Sequence, residues 1–315
     1  MAFSAISVFV HTIRFECEGI ISLDLRPTGE CELPQFTPGA HIDLHLPGGV
    51  SRSYSLVSDP QESHHYVVSV QNARDGRGGS KFIHEYLKVG TAITISKPRN
   101  NFPLQETLGK TVLVAGGIGI TPIYSMFRHL VALGRPVEML YCAHSRREAA
   151  FLKELAPYSD QVVLNFSDEP PRISLHDYLA RHDTNVNFYC CGPISMLTTF
   201  EIACAELNFP HCYVERFTVT GSQTVQERSY EVVLSKSGGS ITVESGHSLL
   251  ESLLMAGVEC DYVCKQGICG ACETVVLHGE PDHRDSVLTA GQKAEGTRMM
   301  ICVSGAKSNT LVLDL

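Results

Sequence analysis

No apolar run in this sequence is long enough to cross a bilayer, so the chain is not read as membrane-embedded. A basic excess is missing as well. Acidic side chains outnumber Lys and Arg by 34 to 25, and a net charge of −9 offers no electrostatic footprint for nucleic acid. Neither an internal repeat nor a low-complexity stretch is present, which sets aside repeat arrays and disordered tails. The first fourteen residues, M-A-F-S-A-I-S-V-F-V-H-T-I-R, are apolar but short, with no basic leading segment and no small-residue cleavage site. They are expected to form a first strand rather than a secretion signal.

Twelve cysteines in a chain without a secretion signal point to a reducing cytoplasm, where thiols ligate metal or sit buried. Four of them form a pattern. Cys264-x4-Cys269-x2-Cys272 is followed, after 29 intervening residues, by a lone Cys302. That is the plant-type spacing for a [2Fe–2S] cluster: three thiolates on one tight loop wrap a small cluster and a distant fourth closes it. Gly267 and Gly270 lack side chains, so the backbone can approach the inorganic sulfurs and direct N–H groups at them. Structural zinc sites usually pair two short C-x2-4-C knuckles, and only one is present here. Cys17, Cys31, Cys142, Cys204 and Cys212 lie outside the pattern and read as small core residues.

At 315 residues the chain suits two or three domains. Residues 1–104 read as an antiparallel β-barrel, with strand-like runs at 42–47, 66–70 and 92–96 alternating with Gly/Pro turns. Within it, Arg52-Ser53-Tyr54-Ser55 offers an arginine, hydroxyls and a flat ring to a phosphorylated cofactor, though by itself it is equally an exposed polar strand. Gly76-Arg77-Gly78-Gly79-Ser80-Lys81 opens a helix-like stretch and would present free N–H groups to an anion; the plainer reading is a solvated turn. Both pieces together favour a phosphate site.

Residues 105–221 change period. Strands and helical patterns alternate, which means a parallel sheet covered on both faces. The turn Gly116-Gly117-Ile118-Gly119-Ile120-Thr121-Pro122 follows the strand at 111–117, where such sheets bind nucleotides, although it is not the G-x-G-x-x-G fingerprint. Cys191-Gly192-Pro193 ends a later strand at the same edge. Ser167-Asp168-Glu169 ends the one before it, where an acid would accept hydrogen bonds from a ribose or simply sit in water. Residues 222–228 read as a linker, and 229–315 as an α+β domain with a hairpin and a Ser248-x-x-Glu251 capping box opening a helix that Gly257 ends.

In order and along the full length, R-S-Y-S, G-G-S, G-G-I-G-I-T-P, C-G-P, V-E-R-F and C-x4-C-x2-C resemble the ferredoxin–NADP reductase superfamily. More narrowly, the C-terminal ferredoxin makes the chain similar to the phthalate dioxygenase reductase and vanillate demethylase reductase group. The resemblance implies a flavin-binding β-barrel, an α/β nucleotide-binding domain and a β-grasp ferredoxin. It implies FMN on Arg52, Ser53, Tyr54 and Ser55, with Gly79, Ser80 and Lys81 at the phosphate. It implies nicotinamide near Gly117, Gly119, Thr121, Cys191 and Gly192, with Ser167 and Asp168 toward the ribose. Glu215 and Phe217 of V-E-R-F match positions beside the flavin ring, which puts Thr121, Cys191, Glu215 and Phe217 nearest the reacting atoms. Cys264, Cys269, Cys272 and Cys302 match the cluster ligands. Asp282 to Asp285 match a family signature to which no chemistry is assigned, and Gly305 stands where an arginine is expected.

The implied activity is NADH oxidation through FMN and the [2Fe–2S] cluster to a Rieske-type terminal oxygenase, with a haem monooxygenase as the alternative acceptor. A non-enzymatic metal-binding module is the reading from a different class. No pair of Cys-x-His units for a Rieske centre is present, and no His pair with an adjacent acid reads as an iron triad. His64-His65 is a turn, and His176 and His182 fall on an expected surface helix. NADH is expected over NADPH because Asp168 stands where NADPH users commonly carry an arginine.

Overall fold

In strand β1 (Ile6–Cys17) the apolar residues alternate: Val8 and Val10 are buried, while Ser7 and His11 face water. Strands β2 (Ile20–Pro27), β3 (His41–Leu46), β4 (Val50–Ser55) and β5 (Tyr66–Gln71) do not alternate strictly, whereas the period-two pattern recurs in β6 (Ala92–Ile95). Together they make a six-stranded antiparallel sheet of order β4-β3-β6-β1-β2-β5. A bridge between Leu56 and Val68 joins its two edges, so the sheet closes as a barrel. The computed structural model describes residues 5–73, 78–106, 109–217 and 228–315. Gly76 and Arg77 of the glycine-rich turn, and all of the expected linker except Arg228, lie outside the described residues.

A parallel sheet follows, of order β11-β10-β7-β8-β9, built from β7 (Thr111–Gly116), β8 (Val137–Ala143), β9 (Val162–Phe166), β10 (Asn187–Cys191) and β11 (Cys212–Glu215). Every residue of β7 and β10 is buried, which is what cover on both faces demands. Helix α1 (Gly79–Glu85) belongs to the barrel, whereas α2 (Ile120–Ala132), α3 (Leu152–Leu155), α4 (Leu175–Leu179) and α5 (Ile194–Glu206) belong to the sheet. Helix α2 ends where Gly134 takes a left-handed φ of 64°. One apolar core runs from Cys17, Ile20 and Val57 of the barrel into Leu113, Ile123, Phe127 and Tyr141 of the sheet. Barrel and parallel sheet accordingly form one compact unit, Ser4–Phe217.

The second unit carries Thr218–Leu315. Its sheet has the order β13-β12-β18-β14-β16, from β12 (Tyr230–Leu234), β13 (Ser240–Val243), β14 (Glu273–His278), β16 (Arg298–Met300) and β18 (Thr310–Leu313). Strands β12 and β18 run parallel and the other pairs antiparallel. The short strands β15 (Pro281–Asp282) and β17 (Gly305–Ala306) pair separately. Helix α6 (Leu249–Met255) begins with the expected capping box: Glu251 donates its N–H to Ser248 Oγ, and the Glu251 carboxylate accepts from the Ser248 N–H, each at 3.2 Å. Leu249, Leu250 and Leu253 then point into the core. A last helix, α7 (Ala290–Glu295), is capped in the same way by Thr289 and Gln292. Among the described residues no helix is long and apolar enough to cross a membrane.

Two expectations need correction. Cys31 is exposed, because residues 28–32 after β2 run over the surface before Leu33 re-enters the core. His182 is not on a surface helix: α4 stops at Leu179 and the His182 side chain, 6% exposed, packs edge-on to Tyr178 and Phe188.

Candidate functional site

At the carboxyl edge of the parallel sheet two turns interlock. A Cβ on Gly119 would stand 2.3 Å from the Cys191 carbonyl oxygen, and one on Gly116 would stand 2.7 Å from both Pro193 Cδ and Met196 Sδ. Only glycine fits either position. Gly117, with φ of 54°, supplies the left-handed step between them. Thr121 then falls in the first turn of α2, buried, its hydroxyl donating to the Ile118 carbonyl at 3.0 Å.

Register places Ala115, Cys191 and Glu215 side by side across β7, β10 and β11. The Cys191 thiol is fully enclosed, and burial pushes its pKa well up. Glu215 keeps some exposure along its length, yet Oε2 is shut from solvent and has no hydrogen-bond partner among the described residues. Burial pushes its carboxyl up to about 8. This edge therefore holds a neutral thiol and a carboxyl that is protonated at neutral pH. Nothing in the sequence signals that burial, since V-E-R-F reads as the end of an ordinary half-exposed strand. Phe217, two residues on, keeps 36% of its surface exposed.

Farther along the same edge a pocket of about 320 Å³ opens between β8, β9 and α5, with Ser167, Arg172, Asn165, Ser195 and Thr199 in its wall. Ser167 is there as expected. Asp168 is exposed beside it but outside the lining, its N–H donating to the His144 carbonyl at 3.2 Å. Arg146, a rival for an anion at this end, is drawn 3.0 Å to Glu169 and lies over the Phe166 ring. Sequence reasoning missed Ser195 and Thr199, which come from α5, distant in sequence from the Ser167 turn, and Arg172, five residues past Ser167, which no local pattern marks as lining a pocket.

On the barrel, alternate residues of β4 face opposite ways. Ser53 stands opposite Asp43 and donates to its Oδ1 at 2.6 Å; Asp43 is fully buried and bound to Arg99 at 2.6 Å. Ser53 is thus committed to an internal network. Arg52 lies against α1: a Cβ on Gly79 would stand 2.6 Å from Arg52 Cγ, and Arg52 Nη1 donates to the Ser51 carbonyl at 2.8 Å. The R-S-Y-S strand and the glycine-rich turn, 27 positions apart at Arg52 and Gly79, are brought into contact. Burial raises the Tyr54 hydroxyl to about 12, so the ring carries no charge, and the buried Ser55 hydroxyl has no hydrogen-bond partner among the described residues. Ser80 accepts the Ala73 N–H at 3.2 Å, while Lys81 is exposed. An unsatisfied hydroxyl and a cradle that any Cβ would fill suit a bound phosphorylated group with a flat ring.

In the C-terminal unit Cys264, Cys269, Cys272 and Cys302 are all buried. Their thiols meet in a row: Cys269 touches Cys264, Cys264 touches Cys302, and Cys302 touches Cys272. Hydrogen bonds from the Cys269 and Cys302 thiols, then from the Ile268 and Gln266 N–H groups, hold Cys264 far below the ordinary thiol range. Left-handed residues Lys265, Gly267 and Gly270 wind the loop, and a Cβ on Gly267 would meet Val303 Cγ2 at 2.5 Å. Among the described residues no three His, Cys, Asp or Glu side chains converge as on a single metal ion. An open row of four sulfurs with N–H groups aimed at it fits instead a two-iron cluster taking two thiolates per iron. Gly305 lies buried in β17 opposite Asp282, whose carboxylate Arg284 holds at 2.6 Å.

Two family models match the chain: an oxidoreductase NAD-binding domain over residues 113–201 and a 2Fe-2S iron-sulfur cluster binding domain over 232–307. The chain is 43% identical to phenoxybenzoate dioxygenase subunit beta of Ectopseudomonas oleovorans, across 98% of this chain and 97% of that protein. It is 37% identical to the vanillate O-demethylase oxidoreductase of a Pseudomonas species, across 98% and 100%. Among solved structures, phthalate dioxygenase reductase, described as a modular structure for electron transfer from pyridine nucleotides to [2Fe–2S], matches 99% of this chain and 98% of that one at 34% identity and a TM-score of 0.72. An intact type IV self-sufficient cytochrome P450 monooxygenase matches 99% of the chain at 37% identity and a TM-score of 0.93, but the chain spans only 41% of that protein's length. With such identity along essentially its whole length, and with the antiparallel, parallel and ferredoxin-like parts in the same order, the chain belongs to the phthalate dioxygenase reductase and vanillate demethylase reductase group of the ferredoxin–NADP reductase superfamily: it is an NAD-binding oxidoreductase with a C-terminal 2Fe-2S domain.

Proposed function

We propose that this chain is the NADH-dependent reductase component of a Rieske non-haem iron oxygenase system, with FMN on the barrel and a [2Fe–2S] cluster on the C-terminal unit. The observation that carries the reading is the presence in one chain of a nucleotide-type sheet edge, a cradle on the barrel and four buried cysteines. Relatives named as parts of dioxygenase and demethylase systems support an oxygenase as acceptor. A cytoplasmic setting is supported by twelve cysteines of which none forms a disulfide.

When bound, FMN would accept a hydride from NADH and the cluster would pass electrons singly to a protein acceptor. The chain's own residues do the holding. Arg52, fixed against Gly79, would meet the flavin with Tyr54 and Ser55, while Gly79, Ser80 and Lys81 would surround its phosphate. Ser53 would act from behind, bracing β4 through Asp43. Gly117, Gly119, Thr121, Cys191 and Gly192 would seat the nicotinamide, and Ser167 with Arg172 and Asp168 the ribose end. The neutral Glu215 carboxyl would offer a hydrogen bond at this edge without adding charge, and Phe217 would cover the flavin ring until nicotinamide displaces it. Cys264 with Cys269, and Cys272 with Cys302, would each bind one iron.

A haem acceptor is the second reading, favoured by the close match to part of a self-sufficient cytochrome P450. Purified chain and NADH, with either a Rieske oxygenase or a P450 and their organic substrates, separates the two. Product only with the Rieske partner, alongside rapid cytochrome c reduction without it, is expected; product with the P450 alone would transfer the assignment.

Cofactor choice is expected to favour NADH, because the exposed Asp168 carboxylate repels a 2′-phosphate. Asp168→Arg should move the NADPH/NADH ratio of kcat/KM about tenfold toward NADPH, equivalent to about 1.4 kcal/mol. A wild type that already prefers NADPH, or an unchanged ratio, would assign the choice to Arg172 instead.

The Glu215 carboxyl has a folded pKa near 8, raised above its ordinary 4.5 by burial. Between those values the folded chain binds the proton more tightly than the unfolded one, so its contribution is full at low pH and is lost as pH rises through 8. Denaturant unfolding should show wild type losing stability relative to Glu215→Gln from pH 5 to 8, by up to about 1.4 kcal/mol per unit. Parallel curves would mean that the carboxyl is ionised throughout.

A further inference from the structure

The segment from Asp282 to Leu288 touches both ligand-bearing stretches of the C-terminal unit. Ser286 donates its N–H to the Gly267 carbonyl at 2.9 Å, inside the loop between Cys264 and Cys269. Arg284 donates its N–H to Ser304 Oγ at 3.3 Å, two residues past Cys302. The backbone of Asp285 lies so close to Gly267 that a Cβ there would come within 3.1 Å of Asp285 Cα. The segment therefore clamps the cysteine loop to the strand end that carries the fourth cysteine.

Within the clamp the Asp285 side chain is 0% exposed. Its Oδ1 accepts the N–H groups of Val287 at 3.0 Å and Leu288 at 2.7 Å. Its Oδ2 is buried and has no hydrogen-bond partner among the described residues. Two basic groups face that oxygen, Lys293 Nζ and His283 Nδ1, each at 3.9 Å. Lys293 is held in place by a 2.6 Å hydrogen bond from Nζ to the Asp285 carbonyl. Burial pushes His283 below its ordinary value, which leaves Lys293 as the cation opposing the carboxylate at neutral pH.

A charge fixed in a low-dielectric interior acts on any redox centre beside it. A negative charge favours the oxidised form and a positive one the reduced form. We propose that Asp285 and Lys293 are a charge pair that sets the reduction potential of the cluster, Asp285 lowering it and Lys293 raising it. The proposal rests on the assignment of Cys264, Cys269, Cys272 and Cys302 as cluster ligands, and it casts both residues as positioning residues that act on the cluster without ligating it.

The test is an anaerobic spectroelectrochemical titration of the purified full-length chain, with EPR of the reduced cluster, on wild type, Asp285→Asn and Lys293→Gln. Asparagine keeps an oxygen for the Val287 and Leu288 N–H groups and removes only the charge. Asp285→Asn should move the reduction equilibrium toward the reduced cluster by about three- to tenfold, tenfold being about 59 mV for one electron. Lys293→Gln should move it the opposite way and by less, since that side chain is 31% exposed and solvent screens it. Shifts of the same sign, or none, would mean a merely structural clamp and overturn the proposal. If Asp285→Asn loses its cluster, Lys293→Gln decides alone: a lowered potential upholds the pair and an unchanged one overturns it. A wild-type chain without cluster absorption would overturn the ligand assignment itself, and the pair with it.

Discussion

The close approach of Gly119 to the Cys191 carbonyl is the contact on which the nucleotide-type edge depends. With 2.3 Å between a would-be Cβ and that oxygen, the turn after β7 and the turn after β10 can interlock only through backbone. Their interlock fixes where α2 starts, and so where Thr121 stands. It also brings Cys191 into line with Glu215 on the neighbouring strand. Removing water from that line is what keeps the thiol and the carboxyl neutral. A site built this way adds polar groups beside a reacting ring without adding charge, and it does so with strand ends rather than loops.

Because the barrel and the parallel sheet share one apolar core, the Arg52–Gly79 cradle and the Cys191–Glu215 edge are parts of one body, Ser4–Phe217. The four cysteines sit on the other unit, with their own core and their own clamp. Charge is handled differently in the two. In the first, the buried Asp43, paired with Arg99, braces β4 through Ser53. In the second, the buried Asp285 and its facing Lys293 lie directly behind the cysteine loop. Buried ion pairs are poor sources of stability, so their placement speaks more of geometry and potential than of holding the fold together.

Much of this was legible in the chain alone, and the reasons are local. Cys264-x4-Cys269-x2-Cys272 is short-range chemistry, since three ligands on one loop must be close in sequence. The barrel and parallel-sheet strands show in their periods, and the Ser248–Glu251 box is a reciprocal contact across three residues. What stayed hidden is non-local. Asp43 and Arg99 meet across 56 positions of sequence, and Ser195 and Thr199 reach the pocket wall from α5. His283, Asp285 and Lys293 look like solvated charges until the fold encloses them. Glu215 gave no sign of its burial, because an acid at a strand end is ordinarily wet. Asp168 was legible as exposed and acidic, yet its place outside the pocket lining was not.

The central claim is that one chain carries electrons from NADH to a cluster on its own C-terminal unit. Its most direct test is rapid-freeze EPR of the purified, fully loaded protein mixed anaerobically with one equivalent of NADH. The account predicts the signal of a reduced [2Fe–2S] cluster within the time of a single turnover, with no added protein. Bleaching of the flavin band while the cluster stays oxidised and EPR-silent would contradict it.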